Sequence, residues 1–297
     1  MSKPVVLVLG TNGYVGKATV KSLSETYADK AVIKAASRDP AKLGELRDLK
    51  GVELVALDMS APDAASHIKA TGAATVYVVT PGVENRAAIT INAANASKEA
   101  NVGHLVVVSA MTTDVKDTVF GRQFTEIESH VKKLGLPYTI LRLPLFIDNF
   151  WADAETIKKQ STMYGAVNPD AAFTPIAVSD IGKASAAVLA NPGLYANKTF
   201  KLATKAFTYN DVVKAFSESL GREIKYVQVP YEAAKKGAMD MGIQEWQADG
   251  MVELMKSINS GSPITNDPEG VIHFKSITGS DPITVQQWVA AVAGGFK

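Results

Sequence analysis

Short β-branched runs recur through the first half of the chain: VVLVLG (5–10), AVIKAAS (31–37), VELVALD (52–58), TVYVVT (75–80) and HLVVVSA (104–110). Between them, segments 14–28, 61–71, 84–101 and 122–135 carry apolar residues at helical spacing. Strands that are apolar on both faces, separated by helices, indicate a parallel sheet covered on both sides. Right-handed crossovers then give an α/β, doubly wound Rossmann sheet. PYTILRL (137–143) supplies a sixth strand.

After about residue 150 the pattern loosens. FTPIAVSDIGKASAAVLANP (173–192) reads as a short strand, an Asp180 N-cap and a helix ended by Asn-Pro. KTFKLA (198–203) and EIKYVQVP (223–230) are strand candidates, TYNDVVKAFSESLG (208–221) is a helix with a glycine stop, and 231–259 is a long helical stretch. These pieces predict a second, smaller α/β lobe. Residues 1–150, with about 175–205, form the expected cofactor-binding domain, and 151–174 with 206–297 the expected substrate or partner lobe.

GTNGYVGK (10–17) occupies the first strand–helix turn. The phosphate loop of nucleoside triphosphatases requires GxxxxGK followed by Ser or Thr. Here Gly10 and Gly16 have five residues between them and Lys17 precedes Ala18, so both spacing and magnesium-ligating hydroxyl are wrong. Gly10, Gly13 and Gly16 instead form GxxGxxG. Gly10 allows the tight turn, Gly13 the approach of a pyrophosphate, and Gly16 close packing of the helix. Thr11, Asn12, Tyr14 and Val15 complete the cradle, with the pyrophosphate at the helix N-terminus.

The second strand decides which dinucleotide. NAD-specific sites place an acid there, about 20 residues past the glycines, on the ribose 2′-hydroxyl. KAASRDP has Ala36 or Ser37 at that position and Arg38 next. A guanidinium can stack on adenine and clamp a 2′-phosphate, with Ser37 as a further donor and Lys42 as a second charge. NADP(H) is therefore the expected cofactor. Asp58, with Met59 ending the third strand, is placed either to reach the adenine amino group or to cap the next helix. Thr80 and Pro81 should line the groove, and Ser109 stands at the ligand end of the fifth strand.

Composition narrows the partners. The formal net charge of +1 over 297 residues gives no global field for nucleic acid or an anionic membrane, so an anion site must be local. The absence of cysteine excludes disulfides, thiolate nucleophiles and cysteine metal sites, and the four histidines show no paired spacing. The opening MSKPVVLVLG has an apolar run too short for a signal peptide, and no later run approaches the roughly 18 residues of a membrane span. A cytoplasmic location is expected.

These residues, together with ASRDPAKL, VVTPGVENR, ESHVKKLGLPYTILRLPLFIDNF (128–150) and the closing ITGSDPITVQQWV, resemble the NmrA-like family of atypical short-chain dehydrogenase/reductases over nearly the whole chain. The resemblance implies an NADP-binding Rossmann lobe, a small α/β lobe and a cleft between them. It implies one of two activities: reduction of quinones and related compounds, or NADP(H) sensing by a regulator with little catalysis and a protein partner.

The usual short-chain reductase dyad, Tyr-x-x-x-Lys after the fifth strand, is missing. Tyr231–Lys235 matches the spacing but lies nearly 100 residues too late. On the helix where the pair belongs, the family's lysine or histidine position falls on Phe124, with Phe120 four residues earlier. Neither transfers a proton. Phe124 either packs beside the nicotinamide or a flat substrate, or belongs to the helix's apolar face. Quinone reduction needs no side-chain acid, because the acceptor is reactive and water can supply protons; positioning and exclusion of solvent then suffice. An NADPH-dependent reductase of quinones or similar flat carbonyl compounds, acting on a small molecule in the interlobe cleft, is the leading expectation. Its alternative is the weakly catalytic or inactive redox sensor.

Overall fold

The computed structural model describes residues 3–297. In chain order the Rossmann half contains β1 (Val5–Leu9), α1 (Tyr14–Tyr27), β2 (Val32–Ser37), α2 (Gly44–Arg47), β3 (Val52–Ala56), α3 (Ala64–Thr71), β4 (Ala73–Val78), α4 (Arg86–Glu99), β5 (His104–Ala110), α5 (Val119–Lys133) and β6 (Tyr138–Leu143). The second half adds α6 (Ala154–Gln160), β7 (Thr162–Gly165), α7 (Val178–Ala190), β8 (Lys198–Lys201), α8 (Tyr209–Leu220) and β9 (Lys225–Gln228). It ends with α9 (Tyr231–Asp240), α10 (Glu245–Asn259), α11 (Glu269–Thr278) and α12 (Val285–Val292).

Seven strands pair in the order β3-β2-β1-β4-β5-β6-β8, all parallel. The order reverses between β1 and β4, so a crevice opens at their carboxyl ends, the usual ligand position in such sheets. Alternate residues of each strand serve opposite faces. Val6 and Val8 of β1 pack with Val20 and Leu23 of α1, Ile181 and Val188 of α7, and Phe274 of α11. Leu7 and Leu9 pack with Ile68, Ala93 and Ile127 of the helices opposite. This two-sided burial is why the strands read as unbroken apolar runs. At the α1–α7 crossing, a Cβ on Gly182 would lie 2.6 Å from the Ala18 carbonyl oxygen, so the close approach requires glycine.

The smaller lobe is built on the parallel pair β7–β9 and an aromatic core of Phe150, Phe173, Phe207, Phe216, Trp288 and Phe296. Among the described residues no helix is long and apolar enough to cross a membrane.

Three expectations are corrected. Asp180 is not an N-cap. It sits in the first turn of α7, which begins at Val178, and its carboxylate accepts from the Ile283 N–H at 2.8 Å. The helix is capped from outside instead: Asp148, in the loop after β6, accepts from the Val178 N–H at 2.7 Å. The stretch 231–259 is not continuous but breaks between α9 and α10, where Gly242 adopts φ +88°, a conformation open to glycine at little cost. No regular strand forms within 173–177; Phe173 and Ile176 make only isolated bridges, to Phe207 and Phe146.

Candidate functional site

The crevice holds two adjoining cavities. The larger, about 530 Å³, and the smaller, about 330 Å³, share Gly13, Val79, Thr80 and Gly82. Both fall in the range of small-molecule sites.

The glycine loop forms their common wall. Gly10 has φ +87°, and a Cβ there would stand 2.9 Å from the Val79 carbonyl oxygen, so β1 and β4 approach closely only because the side chain is absent. A Cβ on Gly16 would lie 2.4 Å from the Gly10 carbonyl oxygen; Gly16 therefore lets α1 close onto its own loop. Gly13 differs. Its backbone is ordinary extended chain, and an added Cβ would meet only the Gly10 carbonyl oxygen at 3.6 Å. No side chain caps α1, and its first turn contains no acid. Its leading N–H groups thus meet the positive end of the helix dipole at the cavity wall, an arrangement that favours an anion. The loop is pinned to β2 from behind: the buried Thr11 hydroxyl donates to the Ala36 carbonyl at 2.5 Å, and Ser37 Oγ donates to Asn12 Oδ1 at 3.1 Å.

The smaller cavity brings together Gly10, Thr11, Asn12 and Gly13 with Ser37, Arg38, Asp58, Met59, Thr80 and Pro81 from the strand ends. Among the described residues Arg38 forms no ion pair within 4.0 Å. Asp58 caps its own turn, accepting from Ser60 N at 2.9 Å and Ser60 Oγ at 2.6 Å, while α3 starts later, at Ala64. Of the two roles open to Asp58 in the sequence, capping α3 is therefore not the one it plays. The Ser60 hydroxyl, with the Ser60 N–H and then more distant Arg38 adding to it, holds the Asp58 carboxyl below the usual range despite partial burial. Lys42 lies outside the cavity, 72% exposed and 3.9 Å from Asp39.

The larger cavity brings together Tyr14 and Val15 with Ser109 and Phe124, and adds Phe120, Asn149 and Gln247. Its walls are mainly apolar. Helix α10 covers it: Gly250 admits the Phe120 ring so closely that a Cβ would lie 2.6 Å from it, and the Val119 N–H donates to Glu253 at 2.8 Å. Among the lining residues only Tyr14 and Arg86 carry an ionisable side chain, and Tyr14 is 81% exposed. The Ser109 hydroxyl is committed elsewhere. It donates to Glu128 at 2.7 Å, and Glu128 in turn accepts from Lys132 and from Arg142, which also pairs with Asp114. Burial opposes ionisation of Glu128, but the bonds from Arg142, Lys132 and Ser109 outweigh it and bring the carboxyl down to about 2.

The other candidates stand apart. Tyr231 accepts from Asn259 at 2.6 Å and Lys235 pairs with Glu245 and Asp249, so the late YxxxK is no dyad. His104 opens β5, where burial draws it down to about 4, and His130 meets Asn95 on an exposed face. Among the described residues no cluster of acids and histidines could hold a metal. Asp148 serves α7, and its neighbour Asn149 lines the cavity. Sequence reasoning missed Arg86. The available signal was a cation at the first residue of a helix, where it opposes the dipole.

Known proteins resemble this chain in sequence and in fold. An NAD(P)H azoreductase from Xenophilus azovorans is 29% identical over 252 residues, spanning 84% of this chain and 86% of the relative. Among solved structures, an NADPH-dependent quinone oxidoreductase from Escherichia coli, complexed with NADPH, superposes with a TM-score of 0.82 at 20% identity, covering 97% of this chain and 99% of that one. The negative transcriptional regulator NmrA, in complex with NADP, superposes with a TM-score of 0.75 at 17% identity, covering 99% and 96%. The profile of the NmrA-like family matches residues 2–269, and the chain belongs to that family.

Proposed function

We propose that the chain is an NADPH-dependent reductase of quinones or similar flat, conjugated acceptors. The observation that carries this reading is the apolar cavity of about 530 Å³ that continues directly from the glycine loop past Thr80. A planar molecule there lies against the nicotinamide end of a dinucleotide seated on the loop.

The residues fit that cofactor. The backbone of Gly10–Gly16 and the uncapped start of α1 receive the pyrophosphate; Gly13 leaves the room that a Cβ would fill. Arg38 and Ser37 hold the 2′-phosphate, with Asp58 and Met59 beside the adenine. Thr80, Pro81, Ser109 and Phe124 flank the nicotinamide. When bound, the cofactor supplies the hydride. The chain orients the acceptor between Phe120, Phe124 and the strand ends beneath α10, so its contribution is positioning. Protons reach the product from solvent, since no lining side chain is placed as an acid. The relatives named azoreductase and quinone oxidoreductase support the same reading.

A second reading has one specific support: phenylalanines 120 and 124 stand where a dyad would. A regulator that responds to the NADPH/NADP⁺ ratio needs no proton donor. Mixing purified protein with NADPH and a panel of naphthoquinones, and following the reduced-nicotinamide absorbance, separates the two. The reductase reading requires steady turnover. Tight, redox-dependent binding without turnover would overturn it in favour of the sensor.

The cofactor assignment has its own test. Arg38→Ala is expected to weaken NADPH by about 1.5–3 kcal/mol, the range for a hydrogen bond to a charged group, and to leave NADH nearly unchanged in calorimetric titration. Equal losses would place the 2′-phosphate elsewhere.

A further inference from the structure

Arg86 is 7% exposed and has no carboxylate partner among the described residues. Its Nε donates to the Val83 carbonyl at 3.3 Å; the remaining nitrogens of the fork have no hydrogen-bond acceptor among the described residues. Three rings surround it, with Phe120 and Phe124 each 5.3 Å and Trp246 5.2 Å from the guanidinium carbon. It stands at the first residue of α4, where the helix dipole also repels a cation. Burial draws it down, to about 10, so it remains charged at neutral pH. Cation–π contacts return only part of what burying an unpaired charge costs. What is missing is an anion.

The position of that anion is restricted. Arg86 lines the larger cavity and not the smaller one that contains Arg38. In the same cavity the Thr112 hydroxyl, on a residue 5% exposed, has no hydrogen-bond partner. A second unmet donor in an otherwise apolar chamber calls for an acceptor on the ligand. Trp246 belongs to α10, whose Gln247 and Leu254 line the same cavity.

We propose that Arg86 determines substrate specificity, and that the acceptor is a planar aromatic compound bearing a carboxylate or sulfonate, bound by the guanidinium fork with Thr112 as a further donor. A planar fork among aromatic rings suits an oxoanion attached to a ring. The inference rests on the reductase reading for the word acceptor, but not for the anion site itself.

The probe is a naphthoquinone sulfonate compared with its unsubstituted parent, each titrated against full-length protein loaded with NADP⁺, so that no hydride is available. Trp246 fluorescence reports occupancy. Wild type should bind the sulfonate about tenfold or more tightly than the parent, the scale of one charge-assisted contact. Arg86→Met should erase that preference while binding the parent and NADP⁺ as wild type does; those two affinities also certify its fold. Equal affinities in wild type, or a preference that survives in R86M, overturns the proposal. So does loss of NADP⁺ affinity in an R86M whose urea unfolding matches wild type, which would assign the guanidinium to the cofactor. Turnover of the parent with no anion preference would sink this inference alone; an Arg86-dependent preference with no turnover would sustain it and sink the reductase.

Discussion

Replacing Glu128 with alanine is expected to cost about 3–5 kcal/mol of stability, the range for removing one partner of a buried ion pair. Glu128 is 2% exposed and Arg142 8%, and two of the guanidinium's bonds end on Glu128, at 2.8 and 2.9 Å. Alanine would strand Arg142 with Asp114, an acid open to solvent, and would release Ser109 and Lys132. The network joins β5, α5 and β6 at the floor of the larger cavity, so its loss should also loosen substrate binding. Urea unfolding of the variant measures the effect; a change under about 1 kcal/mol, the scale of an exposed pair, would show that Arg142 finds another partner.

The same carboxyl sets a pH dependence. Its folded value, about 2, lies below the ordinary 4.5. Between those values the unfolded chain binds more protons than the folded one, so stability rises with pH across that window. The contribution is complete above about 4.5 and lost as pH falls toward 2, roughly 3 kcal/mol in all. In Glu128→Gln that slope should flatten, which unfolding at a series of acid pH values would reveal.

Gly13→Ala should separate cofactor binding from folding. The backbone there is ordinary extended chain and the new Cβ meets only the Gly10 carbonyl oxygen at 3.6 Å, a normal contact, so the melting temperature should hold. The methyl group would occupy the wall proposed to receive the pyrophosphate. Lifting that group off the α1 amides should cost about 3 kcal/mol, roughly a hundredfold in NADPH affinity. Gly16→Ala provides the contrast. Its Cβ would stand 2.4 Å from the Gly10 carbonyl oxygen and 2.8 Å from the Thr11 Cα, backbone atoms that cannot swing away, so the fold itself should weaken. If Gly13→Ala bound NADPH normally, the loop would not hold a pyrophosphate.

The Rossmann half was legible because its inner strands are buried on both faces, with only the edge strand β3 half-buried, so apolar runs and helical spacing alternate without interruption. The glycine loop was legible for a related reason: tight turns and close backbone approaches leave glycine little competition. What pairs across the sequence was not. Arg142 lies inside the strand run YTILRL, and nothing local announces that it meets Glu128 fourteen residues earlier and Asp114 beyond it. Asp180 looked like a cap because an acid opens the helix, yet the cap comes from Asp148, thirty residues away. Lys42 had the right charge and the wrong direction. Arg86 was hidden at an element boundary, where its burial depends on α10, more than 150 residues further along.

A crystal grown with NADPH would test the central claim most directly. The pyrophosphate should rest on the amides that open α1, with the adenosine 2′-phosphate in hydrogen-bond reach of the Arg38 guanidinium and the nicotinamide facing Phe124. A dinucleotide lodged anywhere else, or a 2′-phosphate pointing into solvent with Arg38 turned away, would contradict it.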